Sequence, residues 1–350
     1  MFQDLGFETL TPRDASVLFG LAIGLLFGVF AQISRFCLRS ALVGETRAAA
    51  AGIWALAFAV AVLGTQALVA AGLISFGDHR FLSPNLPLAA LVIGGLAFGA
   101  GMVLTRGCIS RLTVLMAGGN LRALTVLLIF AITAHATLKG VLAPMRVWLG
   151  GFTLDLGSTT SLAALPGGTW FWAAWLALPA LWLVVRSRAK LAHLALGAAI
   201  GALVPLAWLG TGYVLFDDFD PIALESLSFT LPYAETLFWG IASSAVPAGF
   251  GTGLLGGVLL GAFGATLVRR EFAWASFESP RATGRYGLGA VLMGIGGVLA
   301  GGCTLGAGLS GVATLSFAAL IALAAIVAGA LLTQLLLSAS PTTAAQPQPA

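Results

Sequence analysis

The chain has 350 residues, of which 59% are hydrophobic and only 9% are charged. An ordinary soluble domain carries about 25% charged residues, so this composition excludes a soluble protein and predicts an integral membrane protein. The formal net charge of +4 comes from 17 basic and 13 acidic residues. The basic residues flank apolar segments, a pattern that reflects membrane topology and gives no indication of a nucleic-acid partner.

Apolar runs recur along the whole chain, and most have the length of about 17–25 residues that crosses a bilayer. The predicted spans before the middle of the chain cover about residues 16–34, 47–73, 88–104, 121–141 and 170–185. A basic run at residues 186–190 follows them, and the positive-inside rule places it in the cytoplasm. One further span then leads to an acidic link around Asp217 and Glu225, which would face outward. Residues 235–268 are too long for one untilted helix and predict a half helix followed by a span.

Several spans end in a charged or glycine-rich break, and three of these breaks contain a cysteine. The three cysteines are Cys37, Cys108 and Cys303. Arg35 and Arg106 each stand two positions before a cysteine, and a Phe-Gly pair begins eight positions before each arginine. Gly301 occupies the corresponding position before the third cysteine, and Arg270 marks a weaker copy without a cysteine. This spacing predicts an internal repeat.

The predicted fold is an all-α polytopic integral membrane protein. Two breaks before the basic run and two after it favour a duplicated unit. One form of such a unit is a pseudo-symmetric inverted repeat, here with about nine to ten transmembrane helices and four central re-entrant loops or half helices. A single membrane domain, residues 1–350, would then consist of four segments. These are a first repeat half (15–143), a linker span with the cytoplasmic basic loop (144–190), a second repeat half (191–338) and a disordered tail (339–350).

The breaks offer two kinds of chemistry. Short helices that begin there would direct N–H groups and positive dipole ends toward a shared cavity, which can hold an anion. Cysteine sulfurs are soft and polarisable and suit a substrate that exposes sulfur. A single buried cysteine often serves only as a small hydrophobe, but recurrence at three equivalent positions favours a functional role. The candidate substrate-binding residues are Cys37, Cys108, Cys303, Gly107, Gly302 and Thr304.

Other polar residues give weaker signals. Arg35 and Arg106 are candidate anion contacts, although arginines near span ends commonly extend to lipid headgroups. His135 and Lys139 lie four apart on one helix face, and the same interfacial interpretation is favoured for this lysine. Carboxylates are nearly absent from the apolar spans, so the sequence shows no evident proton or sodium site. It indicates no metal site, no cofactor and no catalytic constellation, which favours a transporter over an enzyme.

Three motifs carry a resemblance to a known family: GCTLGAGLSG at residues 302–311, RGC at residues 106–108 and GGN at residues 118–120. Over nearly its whole length the chain resembles the YeeE/YedE family of sulfur-transport membrane proteins. The resemblance implies a pseudo-symmetric helical fold with loops that dip to its centre, and multi-pass insertion in the bacterial inner membrane. It also implies import of thiosulfate, with the three cysteines handling the ion in a line through S–H···S contacts. A small soluble sulfur-carrier or rhodanese-type protein would receive the product.

Several alternatives remain open from the sequence. The substrate could be a selenium compound or another sulfur compound. An intramembrane thiol oxidoreductase would need a pair of neighbouring cysteines, and the sequence shows no such pair. A channel for Cu(I) would use cysteine ligands, but the termini are not rich in methionine or histidine.

Overall fold

The computed structural model describes residues 11–77, 79–217, 219–277 and 279–339. The predicted disordered tail lies outside the described residues except for Ala339, which ends the last helix. The described chain is helical apart from its links and one two-residue antiparallel ladder, in which Asn85–Leu86 pairs with Leu154–Asp155. The helices are α1 (Pro12–Ser34), α2 (Leu38–Val43), α3 (Arg47–Ala70), α4 (Leu88–Leu104), α5 (Ile109–Ala117), α6 (Leu121–Lys139), α7 (Ala143–Gly150), α8 (Gly168–Arg186), α9 (Leu191–Leu209), α10 (Thr230–Ile241), α11 (Phe250–Val268), α12 (Pro280–Leu299) and α13 (Phe317–Ala339).

Eight helical stretches within these described ranges are long and apolar enough to cross a membrane. They are Pro12–Val43, Arg47–Ala70, Leu88–Ala117, Leu121–Lys139, Gly168–Arg186, Leu191–Val214, Phe250–Val268 and Phe317–Ala339. Another long helix, α12, begins with a more polar stretch that contains Arg281 and Arg285, and it packs against α4 and α6. The protein is therefore an all-α polytopic membrane protein, as the composition predicted.

Four long helices end in the same way. The first residue beyond α1 and the second residue beyond α4, α11 and α12 have left-handed backbone, with φ of 55° at Arg35, 59° at Arg106, 54° at Arg270 and 70° at Gly301. Beyond the three arginines, the next N–H donates to the carbonyl five residues back, which is the hydrogen bond of a Schellman-type helix end. The repeated position in the sequence motif is thus the residue that terminates each helix. The chain then leaves the helix two residues before each cysteine, and before Phe272 in the copy that lacks one.

Helices α1 and α11 pack backbone against backbone. Each contributes three glycines spaced four apart, so that one face of each helix carries no side chains. The six positions are Gly20, Gly24, Gly28, Gly253, Gly257 and Gly261. A Cβ atom at Gly24 would collide with the carbonyl oxygen of Leu254. Small residues allow such close approach, which matters because lipid offers no hydrophobic driving force between helices.

Helix α4 has similar contacts on two sides. Gly101 faces the backbone of Gly289 in α12, and Gly99 faces the carbonyl oxygen of Ile326 in α13. A methyl group at either glycine would require the helices to separate. The end of α4, from which the Cys108 segment departs, is therefore held between two neighbouring helices.

Substituting Gly24 with alanine should lower the thermal unfolding temperature of the protein in detergent. The added methyl group forces α1 away from α11, and overpacking of this kind costs about 1–3 kcal/mol. The matched control is Gly256→Ala in α11, where nothing lies within 4 Å of the new atom. The control should be neutral or slightly stabilising, because alanine has the higher helix propensity. Equal unfolding temperatures for the two variants would contradict the packing described here.

Candidate functional site

Two of the three cysteines lie side by side. Cys37 immediately precedes α2 and Cys108 immediately precedes α5, and their sulfur atoms are 3.9 Å apart. The Ser110 hydroxyl lies 3.2 Å from the Cys108 sulfur. Only 4% of Cys37 and 1% of Cys108 is exposed, and neither forms a disulfide. The expectation that no neighbouring cysteine pair exists is therefore wrong, because folding brings together two thiols that are 71 positions apart in sequence.

Hydrogen bonds fix the two segments that carry this thiol pair. The Thr105 hydroxyl donates to the carbonyls of Gly101 and Gly107, at 2.9 and 3.0 Å, and so holds the turn between α4 and α5. Arg111 in α5 reaches the carbonyl of Ala31 near the end of α1, at 3.5 Å. The breaks after α1 and α4 are thus tied to each other. Gly107, a predicted site residue, belongs to this turn.

Cys303 occupies a separate place. Its sulfur accepts the N–H of Gly306 at 3.4 Å, and it forms no hydrogen bond with either of the other two thiols. A π-helical turn (Gly306–Gly311) follows, and both Cys303 and Thr304 are buried. A Cβ atom at Gly302 would lie 2.7 Å from the Ala307 nitrogen, so the backbone folds tightly on itself here. The structure therefore brings Cys37 and Cys108 together and leaves Cys303 with its own loop.

The loop that carries Cys303, residues 301–311, is anchored to the link between α9 and α10. The Ser310 hydroxyl donates to the carbonyl of Leu227 at 2.8 Å. A cavity of about 520 Å³ lies beside these two segments, and Gly306 and Ser310 form part of its wall. Trp208 near the end of α9 also lines it, as do polar side chains from the links, namely His79, Arg80, Glu225, Ser226 and Ser228. None of the three cysteines lines this cavity directly.

Buried donors without protein partners surround the same loop. The Ser228 hydroxyl and the Trp208 indole nitrogen both belong to residues that line the cavity, and neither forms a hydrogen bond. A Cβ atom at Gly306 would lie 2.6 Å from the Ser228 oxygen, so this hydroxyl lies directly against the loop. Unpaired buried donors are costly, and each one in a folded protein needs an explanation. Here they supply hydrogen-bond donors to anything that occupies the cavity beside residues 301–311.

The cavity also contains titratable groups. Burial and, to a smaller extent, the nearby Glu235 carboxyl raise the pKa of Glu225 to about 7, against the opposing effect of Arg80. Burial, together with the neighbouring Arg80, lowers the pKa of His79 to about 4, so this imidazole is neutral at physiological pH. Glu225 lies in a link between spans, so no local pattern in the sequence indicates that this carboxylate is buried. The fold nevertheless encloses it.

Glu225 also lines a second cavity of about 360 Å³. His135, Lys139 and Glu235 line that cavity too, and the His135 ring stacks on Phe238 with a centroid separation of 4.9 Å. The two cavities therefore share one titratable carboxyl group. No cluster of three or more His, Cys, Asp or Glu side chains that could hold a metal ion occurs among the residues that the structure describes.

The two arginines predicted as anion contacts lie near the thiol pair rather than near Cys303. Arg35 lies within electrostatic range of Arg111, and Arg106 within range of Arg39 and Arg285. Both side chains are exposed, and neither guanidinium hydrogen-bonds to another residue in the described part of the chain. Sequence reasoning missed Ser228, Arg80 and Glu225, whose only local signal was their position in polar links, and Trp208, which lies within the apolar helix α9.

Comparison with known proteins adds a family assignment to this geometry. Thiosulfate transporter TsuA from Spirochaeta thermophila is 28% identical over 314 residues, covering 85% of this chain and 91% of the relative. Thiosulfate transporter TsuA from Escherichia coli is 29% identical over 327 residues, covering 84% and 86%. A family model described as Sulphur transport matches residues 31–332, a range that includes all three cysteines. Because that match spans most of the sequence, the chain belongs to the YeeE/YedE family of sulphur-transport membrane proteins.

Proposed function

We propose that this protein imports thiosulfate, or a closely related sulfur-containing anion, across the bacterial inner membrane. The observation that carries the proposal is the group of unpaired donors beside the loop that carries Cys303, together with the second thiol site formed by Cys37 and Cys108. Both relatives reported above bear the name thiosulfate transporter, which supports the same substrate class.

Thiosulfate has two chemically different ends, a terminal sulfur and three oxygens, and it carries two negative charges. The loop that carries Cys303 can contact the terminal sulfur and the oxygens through different groups. The thiol can donate its weak S–H hydrogen bond to the terminal sulfur, a soft acceptor. The Ser228 hydroxyl, the Trp208 indole N–H and backbone N–H groups near Gly302 and Thr304 can donate to the oxygens.

Transport then requires the ion to pass from Cys303 to the pair formed by Cys37 and Cys108. At the pair, two thiols can contact the terminal sulfur together, while the N–H groups at the start of α5, next to Gly107, face the anion. No covalent bond forms or breaks in these steps. The thiols act as hydrogen-bond donors throughout and stay reduced, so the protein works as a transporter and not as an enzyme.

The positions of charged residues support a direction of transport. The basic run at residues 186–190 precedes α9, and the link that contains Glu225 follows it, so these two segments lie at opposite ends of a spanning helix. If the basic run is cytoplasmic, the larger cavity opens outward and the thiol pair lies deeper. A small soluble sulfur-carrier or rhodanese-type protein is the cytoplasmic partner expected to receive the product.

The inverted repeat remains part of this proposal. The identical left-handed helix ends at Arg35 and Arg106 in the first half and at Arg270 and Gly301 in the second half support a duplicated unit. Short helical segments follow three of these ends, whereas an extended segment follows Arg270. Three of the breaks therefore carry a cysteine, and the fourth, at Arg270, has a structural role alone.

A thiol oxidoreductase is the second candidate, and the 3.9 Å separation of the sulfur atoms of Cys37 and Cys108 favours it. Such an enzyme would cycle this pair between dithiol and disulfide. The two candidates differ in one measurable respect. A transporter moves thiosulfate into proteoliposomes with the thiols kept fully reduced, whereas an oxidoreductase needs an oxidising partner for every turnover.

Replacing any one of the three cysteines with alanine should reduce thiosulfate uptake into proteoliposomes at least about tenfold, the effect of losing about 1.4 kcal/mol of interaction. Serine should rescue only in part, because it keeps a donor but loses the polarisable sulfur. The control is Thr125→Ala, since that hydroxyl donates within its own helix to the Leu121 carbonyl. Uptake would be followed with thiosulfate labelled in the terminal sulfur. Full transport by all three alanine variants would contradict the proposal.

Ser228→Ala should weaken thiosulfate binding about five- to tenfold without lowering the unfolding temperature. Trp208→Phe should weaken binding to a similar extent and lower the unfolding temperature, because it also removes ring contacts with Phe76 and His79. Each change removes a buried donor that has no partner in the protein, so the unliganded fold loses no hydrogen bond. Binding would be measured by calorimetry and unfolding by a thermal shift on the same samples. If affinity is unchanged in both variants, these donors do not contact the anion.

Affinity for thiosulfate should fall about three- to tenfold as the pH rises from 6 to 8 at equal pH on both sides of the membrane. Above its pKa of about 7, Glu225 adds a negative charge to the cavity and partly cancels the attraction of Arg80. Glu225→Gln should bind with an affinity that does not vary over this range. The control is Glu45→Gln, which alters an exposed carboxyl between α2 and α3. A Glu225→Gln profile identical to that of the wild type would contradict this assignment.

A further inference from the structure

Three arginines from separate segments converge near the pair formed by Cys37 and Cys108. Arg39 belongs to α2, Arg106 follows α4, and Arg285 lies in the second turn of α12. The charge of Arg39 interacts unfavourably with the charges of both other guanidinium groups, and Arg285 likewise with Arg106. The geometry agrees: Arg39 and Arg106 each lie two positions from one cysteine of the pair, whose sulfur atoms are 3.9 Å apart. A Cβ atom at Gly289, one turn after Arg285, would lie 2.7 Å from the Thr105 side chain, next to Arg106. The three groups are called here the arginine cluster.

The arginine cluster lacks internal partners. The Nε atoms of Arg39 and Arg285 are buried, and among the described residues neither has a hydrogen-bond partner. In the described part of the chain, no carboxylate forms an ion pair with any of the three guanidinium groups. By contrast, Arg269 pairs with Glu271 at 3.0 Å. The Tyr286 ring lies 5.9 Å from the Arg285 guanidinium carbon. Cys37 lies within electrostatic range of Arg39, and a further cation, Arg281, lies within range of Arg285.

The cluster lies far from the two cavities. Ser16, near the start of α1, lines the second cavity, and the helix runs from there to Ser34, three residues before Cys37. At 1.5 Å per residue, these 18 positions separate the two ends by about 27 Å, close to the thickness of the hydrocarbon core. The arginine cluster is therefore on the opposite side of the membrane from the cavities, at the inner end of the proposed pathway.

Three neighbouring positive charges repel one another, and partial burial strengthens the repulsion because it reduces screening by water. A guanidinium group presents its N–H donors in a planar fork that matches the oxygens of a sulfate- or phosphate-like anion. An anion of this class would supply both the missing counter-charge and the missing acceptors for the buried Nε atoms.

We propose that Arg39, Arg106 and Arg285 bind a small doubly charged oxyanion beside the inner thiol pair. The site recognises oxygen atoms and charge, and therefore takes sulfate as well as thiosulfate. Its role as the last position before release rests on the proposed transport function, whereas the binding itself does not. It would draw thiosulfate off the thiols by holding the oxygens, which the thiols do not contact.

The test is sulfate binding to the full-length protein purified in detergent, measured by calorimetry and by thermal shift at constant ionic strength against chloride. The measurements use a Ser228→Ala/Trp208→Phe background, which lacks the two unpaired hydrogen-bond donors of the larger cavity. In this background sulfate should still bind and raise the unfolding temperature. Adding Arg39→Gln and Arg285→Gln should weaken binding at least tenfold and abolish the shift. The control is Arg186→Gln, because that guanidinium stacks on Trp182 at 4.2 Å, away from the cluster.

The arginine variant should unfold in chloride at the same temperature as its background or higher, because it relieves repulsion. A loss of sulfate binding is then not a loss of folding. Sulfate binding that survives both substitutions would overturn the proposal. So would native mass spectrometry showing a phospholipid retained by the wild type and lost from the variant, because a headgroup phosphate would then be the occupant.

A transport assay distinguishes the oxyanion site at the arginine cluster from the proposed import of thiosulfate. Wild-type protein that binds sulfate through the arginine cluster but imports no thiosulfate would refute the transport function and leave the oxyanion site standing. Import by the wild type, with unchanged turnover in Arg39→Gln/Arg285→Gln, would refute the role of the cluster in release.

Discussion

Direct backbone contact between glycine-bearing helices is the constraint on which the rest of the structure depends. Helix α1 meets α11, and α4 meets both α12 and α13, with no side chains between their nearest faces. In lipid such packing replaces the hydrophobic effect as the force that holds helices together. It also fixes where the four left-handed helix ends lie. Because α1, α4 and α12 end inside the protein, the segments that follow them place their cysteines in its buried interior.

Two kinds of recognition follow from this arrangement. The thiols offer weak, polarisable contacts suited to sulfur, while Ser228, Trp208 and the arginine cluster offer donors and charge suited to oxygen. An ion that has both sulfur and oxygen atoms can be held through its sulfur by the thiols and through its oxygens by the donors and the arginine cluster. Sulfate, which has no terminal sulfur, would satisfy only half of these contacts. Selectivity would then come from the combination of thiols and oxygen donors, and no single residue would account for it.

Local sequence signals predicted most of the helices. A span at residues 88–104 was expected and α4 occupies Leu88–Leu104, and the long run at residues 235–268 divides into α10 and α11. The length of an apolar run and the positions of its glycines are properties of the local sequence, so they predict helices without knowledge of the fold. The contact between Cys37 and Cys108 was missed because it joins distant segments. Ser228 and Glu225 were missed for a similar reason, since only the docking of their link against residues 301–311 makes them part of the site.

A structure of the protein with thiosulfate bound tests the central claim most directly, because the terminal sulfur and the oxygens can be told apart by anomalous scattering from a selenium-substituted analogue. We expect the terminal atom within about 4 Å of the Cys303 sulfur or of the Cys37 and Cys108 pair, the range of a hydrogen bond that involves sulfur. The oxygens should face the Ser228 and Trp208 donors or the arginine cluster. An ion bound away from all three thiols, or with its oxygens against them, would contradict the account.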